Sequence, residues 1–199
     1  MIKAVIFDWG GVLIDNPVEE MITFAARTLS VDPDMLRPPY LRHKLLLQDG
    51  LIAEEMFWDK ICGELGIVNP RGPSLMDQAF RAVYREREDV FALASRLHSR
   101  GYKTALLSNT EAPSVTFFHE KKHPMFDEAV FSCMEGVSKP ALKIYGTILD
   151  RLGALPRTAL FIDDSLENVR GAEQTGMVAL LFKNPSQLRR ELLALSMEI

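Results

Sequence analysis

The sequence predicts an α/β fold: a doubly wound parallel sheet with a block of helices inserted after its first strand. Three observations carry that prediction. Short apolar runs recur at "AVIF" (4–7), "KTALL" (103–107), "TALFI" (158–162) and "MVALLF" (177–182), continuous in the way of strands covered on both faces. Segments of helical period lie between them, the order in which crossover helices join parallel strands. The first two runs are separated by roughly ninety residues, far more than one crossover needs.

The elements follow in order. The first run stops at Asp8 and is followed by Gly10 and Gly11. Within the long gap, "PVEEMITFAARTLSV" and "LIAEEMFWDKICGELGI" carry apolar residues at three- and four-residue spacing, which predicts two amphipathic helices. "RPPY" (37–40) is expected to break the chain between them. Residues 15–86 are therefore read as a helical cap domain, and residues 1–14 with 87–199 as the α/β core. In the core, "REDVFALASRLHSRG" and "KPALKIYGTILDRLG" read as helices closed by glycine. Pro140 is expected to open the second, where its missing N–H costs nothing. "EAVFS" (128–132) is a fifth strand candidate.

Composition narrows the function classes. The 199 residues are 47% hydrophobic and 25% charged, enough for a sizeable core. A formal net charge of −4 leaves no basic surplus for a nucleic-acid backbone or an anionic membrane. Cys62 and Cys133 are the only cysteines, too few for a disulfide framework, and read as core filler in a reducing compartment. With no apolar run of membrane length, the expected location is cytoplasmic and the expected state a monomer or homodimer.

Ligands of open α/β sheets sit beyond the carboxyl ends of the strands. There the sequence places Asp8, then Ser108, Asn109 and Thr110, then the pair Asp163 and Asp164, with Lys139 in a connecting loop. Acids gathered in this way form a hard oxygen site suited to Mg²⁺. A hydroxyl, an amide and a lysine beside it suit a tetrahedral anion, so the set reads as phosphoryl-transfer chemistry on a small-molecule phosphate ester.

The same order of motifs resembles the haloacid dehalogenase (HAD) superfamily, over the whole chain. Its phosphatases carry an Asp nucleophile in a D-x-D motif, a Ser/Thr after the second strand, a Lys before a helix and an acidic pair after the fourth strand. "FDWGGVL", "LLSNT", "SKPALKIY" and "FIDDSLENVRGAEQTGM" look most like the branch containing sugar-phosphate phosphatases such as α-D-glucose-1-phosphate phosphatase. The resemblance implies a Rossmann-like core and a Mg²⁺-dependent phosphatase that forms an aspartyl-phosphate on Asp8. It also implies metal ligation by Asp8, the main-chain oxygen of Gly10 and Asp164. Asp163 would stand behind them paired with Lys139, Ser108 and Asn109 would hold the phosphoryl group, and Asn168 would replace a further acid.

Gly10 departs from the motif, because the second Asp is the group that protonates the leaving oxygen. General-acid help is worth about 10²–10⁴-fold, so activated esters such as sugar 1-phosphates should suffer least, unless a cap residue or water carries the proton. Each residue also has a plainer reading: a strand-end cap for Asp8, helix caps for Asp164 and Ser165, a solvated turn for Lys139. Four such residues at the proper strand ends, in the proper order, favour one site. A literal H-E-x-x-H occurs at 119–123, but Pro124 pulls His123 from helical geometry, which favours a surface helix end over a zinc site. Arg42, His43 and Lys44 are candidates to reach the substrate or to form a solvated face, while Phe57, Trp58 and Ile61 read as cap core. The rival functions are a weak or non-enzymatic phosphate binder, a phosphoacceptor switch like a receiver domain, and a dehalogenase.

Overall fold

The computed structural model describes residues 1–199. Five parallel strands, β1 (Ala4–Phe7), β2 (Lys103–Ser108), β3 (Glu128–Phe131), β4 (Ala159–Asp163) and β5 (Val178–Leu181), form one sheet in the order β3-β2-β1-β4-β5. Central β1 pairs with Lys103–Leu106 on one side and Ala159–Ile162 on the other. Every residue of β1 and β4 is buried, whereas β5 lies at an edge and is half-buried throughout. From β1 the chain winds out to β3 and then returns to lay β4 on the other side. The winding therefore reverses between β1 and β4, where the diverging loops leave a crevice.

Alternation along the strands divides the core into two faces. Ala4, Ile6, Leu107 and Phe161 pack with α8 (Leu142–Leu152) and α9 (Leu166–Gln174). Val5, Phe7, Leu106 and Ile162 point the other way, toward α5 (Glu88–Ser99), α6 (Ala112–Lys121) and α10 (Pro185–Ala194). This second face belongs to a cluster of 40 buried residues that continues into the helices inserted after β1.

Four helices fill the insertion: α1 (Val18–Leu29), α2 (Pro33–Gln48), α3 (Glu54–Leu65) and α4 (Leu75–Val83). In α1 the buried Met21, Ile22, Ala25, Ala26 and Leu29 make one stripe, which meets α4 and α2. Tyr40 and Phe57 cross edge-on at 5.3 Å and Phe57 and Trp58 at 5.0 Å, with Ile61 fully buried nearby. Each buried aromatic supplies about 1.5–3 kcal/mol of transfer free energy. Where the chain enters and leaves the insertion, its two passes are pinned together. Asp15 N donates to Arg85 O at 3.0 Å, and Arg87 N donates to Leu13 O at 2.9 Å.

Two expectations need correction. "RPPY" does not break the chain, because Pro38 and Pro39 lie inside α2. The carbonyls of Asp34 and Met35, which lose their donors to the prolines, belong to exposed residues open to water. Pro39 and Tyr40 are buried, so packing outweighs the local penalty. Pro140 does not open a helix either, since α8 starts at Leu142. Pro140 stands in a turn closed by Ala141 N donating to Ser138 O at 3.0 Å, and that turn presents Lys139.

A short helix, α7 (Ser132–Glu135), follows β3 directly. Its buried Ser132 hydroxyl donates to Gln48 O at 2.6 Å and accepts from Thr110 N at 2.9 Å. The end of α2 is thereby tied to the loop after β2.

Candidate functional site

A cavity of about 190 Å³ opens at the carboxyl end of β1. Asp8, Gly10, Ser108, Asn109, Lys139, Asp164 and Asn168 line it from the sheet side, and Met21, Tyr40, Lys44, Gln48 and Phe80 from the inserted helices. Asp163 lies behind this wall with its side chain wholly enclosed.

Lys139 connects the strand ends. Its ammonium donates to Asp8 Oδ1 at 2.7 Å, to Asp163 Oδ2 at 2.7 Å and to Leu107 O at 2.9 Å, which satisfies all three N–H groups. The loop that carries it is held by Asn109. The Asn109 Oδ1 accepts from Lys139 N at 2.8 Å, and its Nδ2 donates to Lys139 O at 2.9 Å. The Asn109 amide therefore positions the lysine, while Ser108 carries a hydroxyl that no protein group engages and that lines the cavity.

The acidic pair divides its work. Asp163 has both oxygens occupied: Oδ1 accepts from Ser165 N at 2.8 Å, and Asn168 Nδ2 stands 3.1 Å from each oxygen. Asp164 has no side-chain partner and faces the cavity. Side-chain oxygens of Asp8, Asp163 and Asp164 come within 4.8 Å of one another. Gly10 contributes a main-chain carbonyl that accepts no main-chain hydrogen bond. Gly11 has φ +92°, and a Cβ there would sit 2.0 Å from Asp164 Oδ2. The second glycine of the loop is thus required by the carboxylate that occupies its side-chain space.

Asp8 and Asp163 share the Lys139 ammonium while Asp164 has no side-chain partner, and burial raises the proton affinities of Asp8 and Asp164. Burial pushes the Asp8 carboxyl up to about 7 against the pull of Lys139, with Asp163 adding to the rise. Burial and the neighbouring Asp163 also raise Asp164. Burial alone would lower Lys139, but Asp163 and Asp8 outweigh it and hold the ammonium charged. Asp8, the free Gly10 carbonyl and Asp164 are all hard oxygen donors, so the set fits Mg²⁺.

Of the three basic cap candidates, only Lys44 reaches the cavity. Arg42 and His43 both bind Glu64 outside it. Phe57, Trp58 and Ile61 are core, as their spacing suggested. The H-E-x-x-H segment comes apart as its proline predicts. His119 and Glu120 lie exposed in the last turn of α6, which ends at Lys121, and His123 turns inward to stack on Phe91 at 5.2 Å.

Tyr40, Gln48 and Glu111 escaped the sequence reading. The first two stand at i and i+8 about Lys44, a helical face concealed by treating "RPPY" as a break. Glu111 directly follows the Ser-Asn-Thr run at the end of β2, and its position beyond a strand end was the available signal.

A haloacid dehalogenase-like hydrolase family profile matches residues 2–176. The chain belongs to this hydrolase family. Among its relatives are the D-ribitol-5-phosphate phosphatase of Bacteroides thetaiotaomicron, 26% identical over 96% of this chain and 97% of that protein, and the sesquiterpene phosphatase astK of Aspergillus oryzae, 25% identical over 89% and 88%. The mouse acyl-CoA dehydrogenase family member 10 is 27% identical over 97% of this chain, which spans only 19% of that protein's length. In structure, the chain superposes on a HAD family enzyme of Bacteroides thetaiotaomicron, an aspartate-to-alanine variant in complex with magnesium and inorganic phosphate. The TM-score is 0.76 at 22% identity, covering 94% of this chain and 99% of that one. A predicted HAD-like hydrolase of Porphyromonas gingivalis gives 0.77 at 25% identity with both chains fully covered. These likenesses establish a HAD-like hydrolase fold, and no helix of the chain is long and apolar enough to cross a membrane.

Proposed function

We propose that this HAD-like hydrolase is a Mg²⁺-dependent phosphatase for a small phosphate monoester, a sugar phosphate or a similar polyol phosphate, working through an aspartyl-phosphate on Asp8. The observation that supports it most is the division of labour among the acids. Asp163 is saturated and orients Lys139, whereas Asp8 and Asp164 keep oxygens free toward the cavity.

In this reading Asp8, the Gly10 carbonyl and Asp164 hold Mg²⁺, which when bound supplies compensation for the charge of the phosphoryl oxygens. Asp8 Oδ1 is fixed by Lys139, and the other carboxylate oxygen attacks phosphorus. Lys139 also offsets negative charge that builds in the transition state. Ser108 donates to a phosphoryl oxygen, and Asn109 and Asn168 keep Lys139 and Asp163 in place. Residues 15–86 act as a cap over the core of residues 1–14 and 87–199, and supply the wall that meets the leaving group. Only six of the nineteen lining residues are hydrophobic, which favours a polar leaving group over a terpenyl chain. The phosphatase relatives agree with phosphate ester hydrolysis and differ among themselves in substrate.

The test is phosphate release from a panel of sugar, polyol and nucleoside phosphates with and without Mg²⁺, beside Asp8→Asn. Release that needs both the metal and Asp8 is the expected result. Release that survives loss of Asp8 contradicts the reading, and halide release from a haloacid without metal would move the chain to the dehalogenases.

A further inference from the structure

The proposed reaction leaves one task without an owner, because position 10 has no carboxyl to protonate the leaving oxygen. The cavity holds one cation that no partner claims. Tyr40, Lys44 and Gln48 follow one another at four-residue spacing on α2, so they share one face of the helix, and all three line the cavity with Asp8 and Asp164. Lys44 forms no ion pair and no hydrogen bond, unlike Arg42 and His43 beside it, which Glu64 retains. Its height over the cavity is set one turn later, where Gln48 Nε2 donates to Asn109 O at 3.1 Å and Ser132 holds Gln48 O.

We propose that Lys44 performs the acid–base work that Gly10 cannot. As Asp8 bonds to phosphorus and the P–O ester bond breaks, the Lys44 ammonium passes a proton to the leaving oxygen and releases it as an alcohol. The neutral amine then takes a proton from the water whose oxygen bonds to phosphorus as the bond between phosphorus and the Asp8 oxygen breaks, which restores the Asp8 carboxylate. Phosphate leaves and the ammonium is restored, so the chain ends each turnover as it began. The inference rests on the phosphatase reading above.

The surroundings of Lys44 suit a group that must both give and take a proton. Burial lowers its proton affinity, while Glu111, Asp8 and Asp164 oppose that fall; a donor nearer neutrality than a free lysine is the more effective one. Glu111 faces it from the start of α6, Asp8 from β1, Asp164 from the end of β4 and Tyr40 from its own helix, whereas α1 presents only Val18 and Met21. Glu111 is the other acid on this wall, but its Oε1 accepts from Ser114 Oγ at 2.6 Å and the residue is buried at the N-cap of α6.

Leaving-group dependence tests the assignment. An ester of an acidic phenol departs without a proton and an alkyl ester does not, so the diagnostic quantity is kcat/KM on para-nitrophenyl phosphate divided by that on a sugar or glycerol phosphate. This ratio should rise about 10²–10⁴-fold in both Lys44→Met and Lys44→Arg, because arginine keeps the charge but holds its proton. Adding Gly10→Asp to Lys44→Met should bring the ratio back down; a Cβ at Gly10 meets only Pro17 Cδ, at 3.3 Å. A ratio unmoved in Lys44→Met, a wild-type ratio in Lys44→Arg, or a ratio that moves only in Glu111→Gln overturns the proposal. A wild-type chain inert on every ester would instead overturn the phosphatase reading, and this inference with it.

Discussion

At the scale of single residues, the site is defined by which oxygen atoms are already in use. Asp163 spends both of its oxygens on Lys139, Asn168 and Ser165, which places it to orient the lysine rather than to meet a ligand. Asp8 spends one, on Lys139. Replacing Asp8 with Asn should lower phosphate release by about 10³-fold or more, the scale expected when a nucleophile is removed. The same variant reports on electrostatics. In the metal-free protein the Asp8 carboxyl binds its proton more tightly in the folded state, where its pKa is about 7, than at the ordinary value of 3.8. Wild type should therefore lose stability as pH rises from near 4 to near 7, and Asp8→Asn should lose less over that window. Thermal melts in a chelator across that range give the comparison, and Mg²⁺ should raise the wild-type midpoint most at the alkaline end. Equal slopes for the two proteins would contradict the raised proton affinity that burial gives Asp8.

At the scale of elements, the site depends on loops clamped by neighbours. Within α9, a Cβ at Gly171 would fall 2.8 Å from the Pro140 carbonyl and 2.9 Å from the Tyr145 hydroxyl. Gly171→Ala should therefore push on the turn that presents Lys139, and it should lower turnover more than its modest volume suggests. Measured kcat/KM together with the melting midpoint would show whether the loss is local. Ser132→Ala removes the hydroxyl that joins Gln48 O to Thr110 N, leaving a buried donor unsatisfied. A cost of about 1–3 kcal/mol follows, readable by denaturant titration. These clamps were the least legible part of the sequence, because Ser132, Asn109 and Gly171 act on residues far along the chain. The strands, by contrast, announced themselves. A strand buried on both faces needs a run of apolar residues, and "AVIF" matches β1 residue for residue. Asp8 and Asp164 stood out as candidates for a related reason, since each stands where a buried strand gives way to a loop, and Lys139 stood out by its place in the loop before a helix. The two prolines of α2 misled because local propensity was weighed without the tertiary packing of Pro39 and Tyr40. That misreading hid the helix face of Tyr40, Lys44 and Gln48.

At the scale of the whole molecule, the 40-residue apolar cluster joins one sheet face to the inserted helices. The cap and core should consequently unfold together, in one cooperative transition. Phe57 is fully buried in the cap, and Phe57→Ala should cost about 3–5 kcal/mol of global stability. Differential scanning calorimetry that resolves two separate transitions would contradict that coupling. The same arrangement brings the groups proposed to be catalytic from distant parts of the chain to one cavity. β1 supplies Asp8, the loop before α8 supplies Lys139, the end of β4 supplies Asp164, and α2 closes the wall with Lys44.

The most direct measurement is an acid quench during turnover of a hydrolysed sugar phosphate with Mg²⁺ present, followed by peptide mass spectrometry. The account predicts a phosphoryl group on the peptide that contains Asp8, absent in Asp8→Asn and lost on treatment with hydroxylamine. Turnover with no phosphorylated Asp8 at any quench time, or a phosphoryl group carried by another residue, would contradict it.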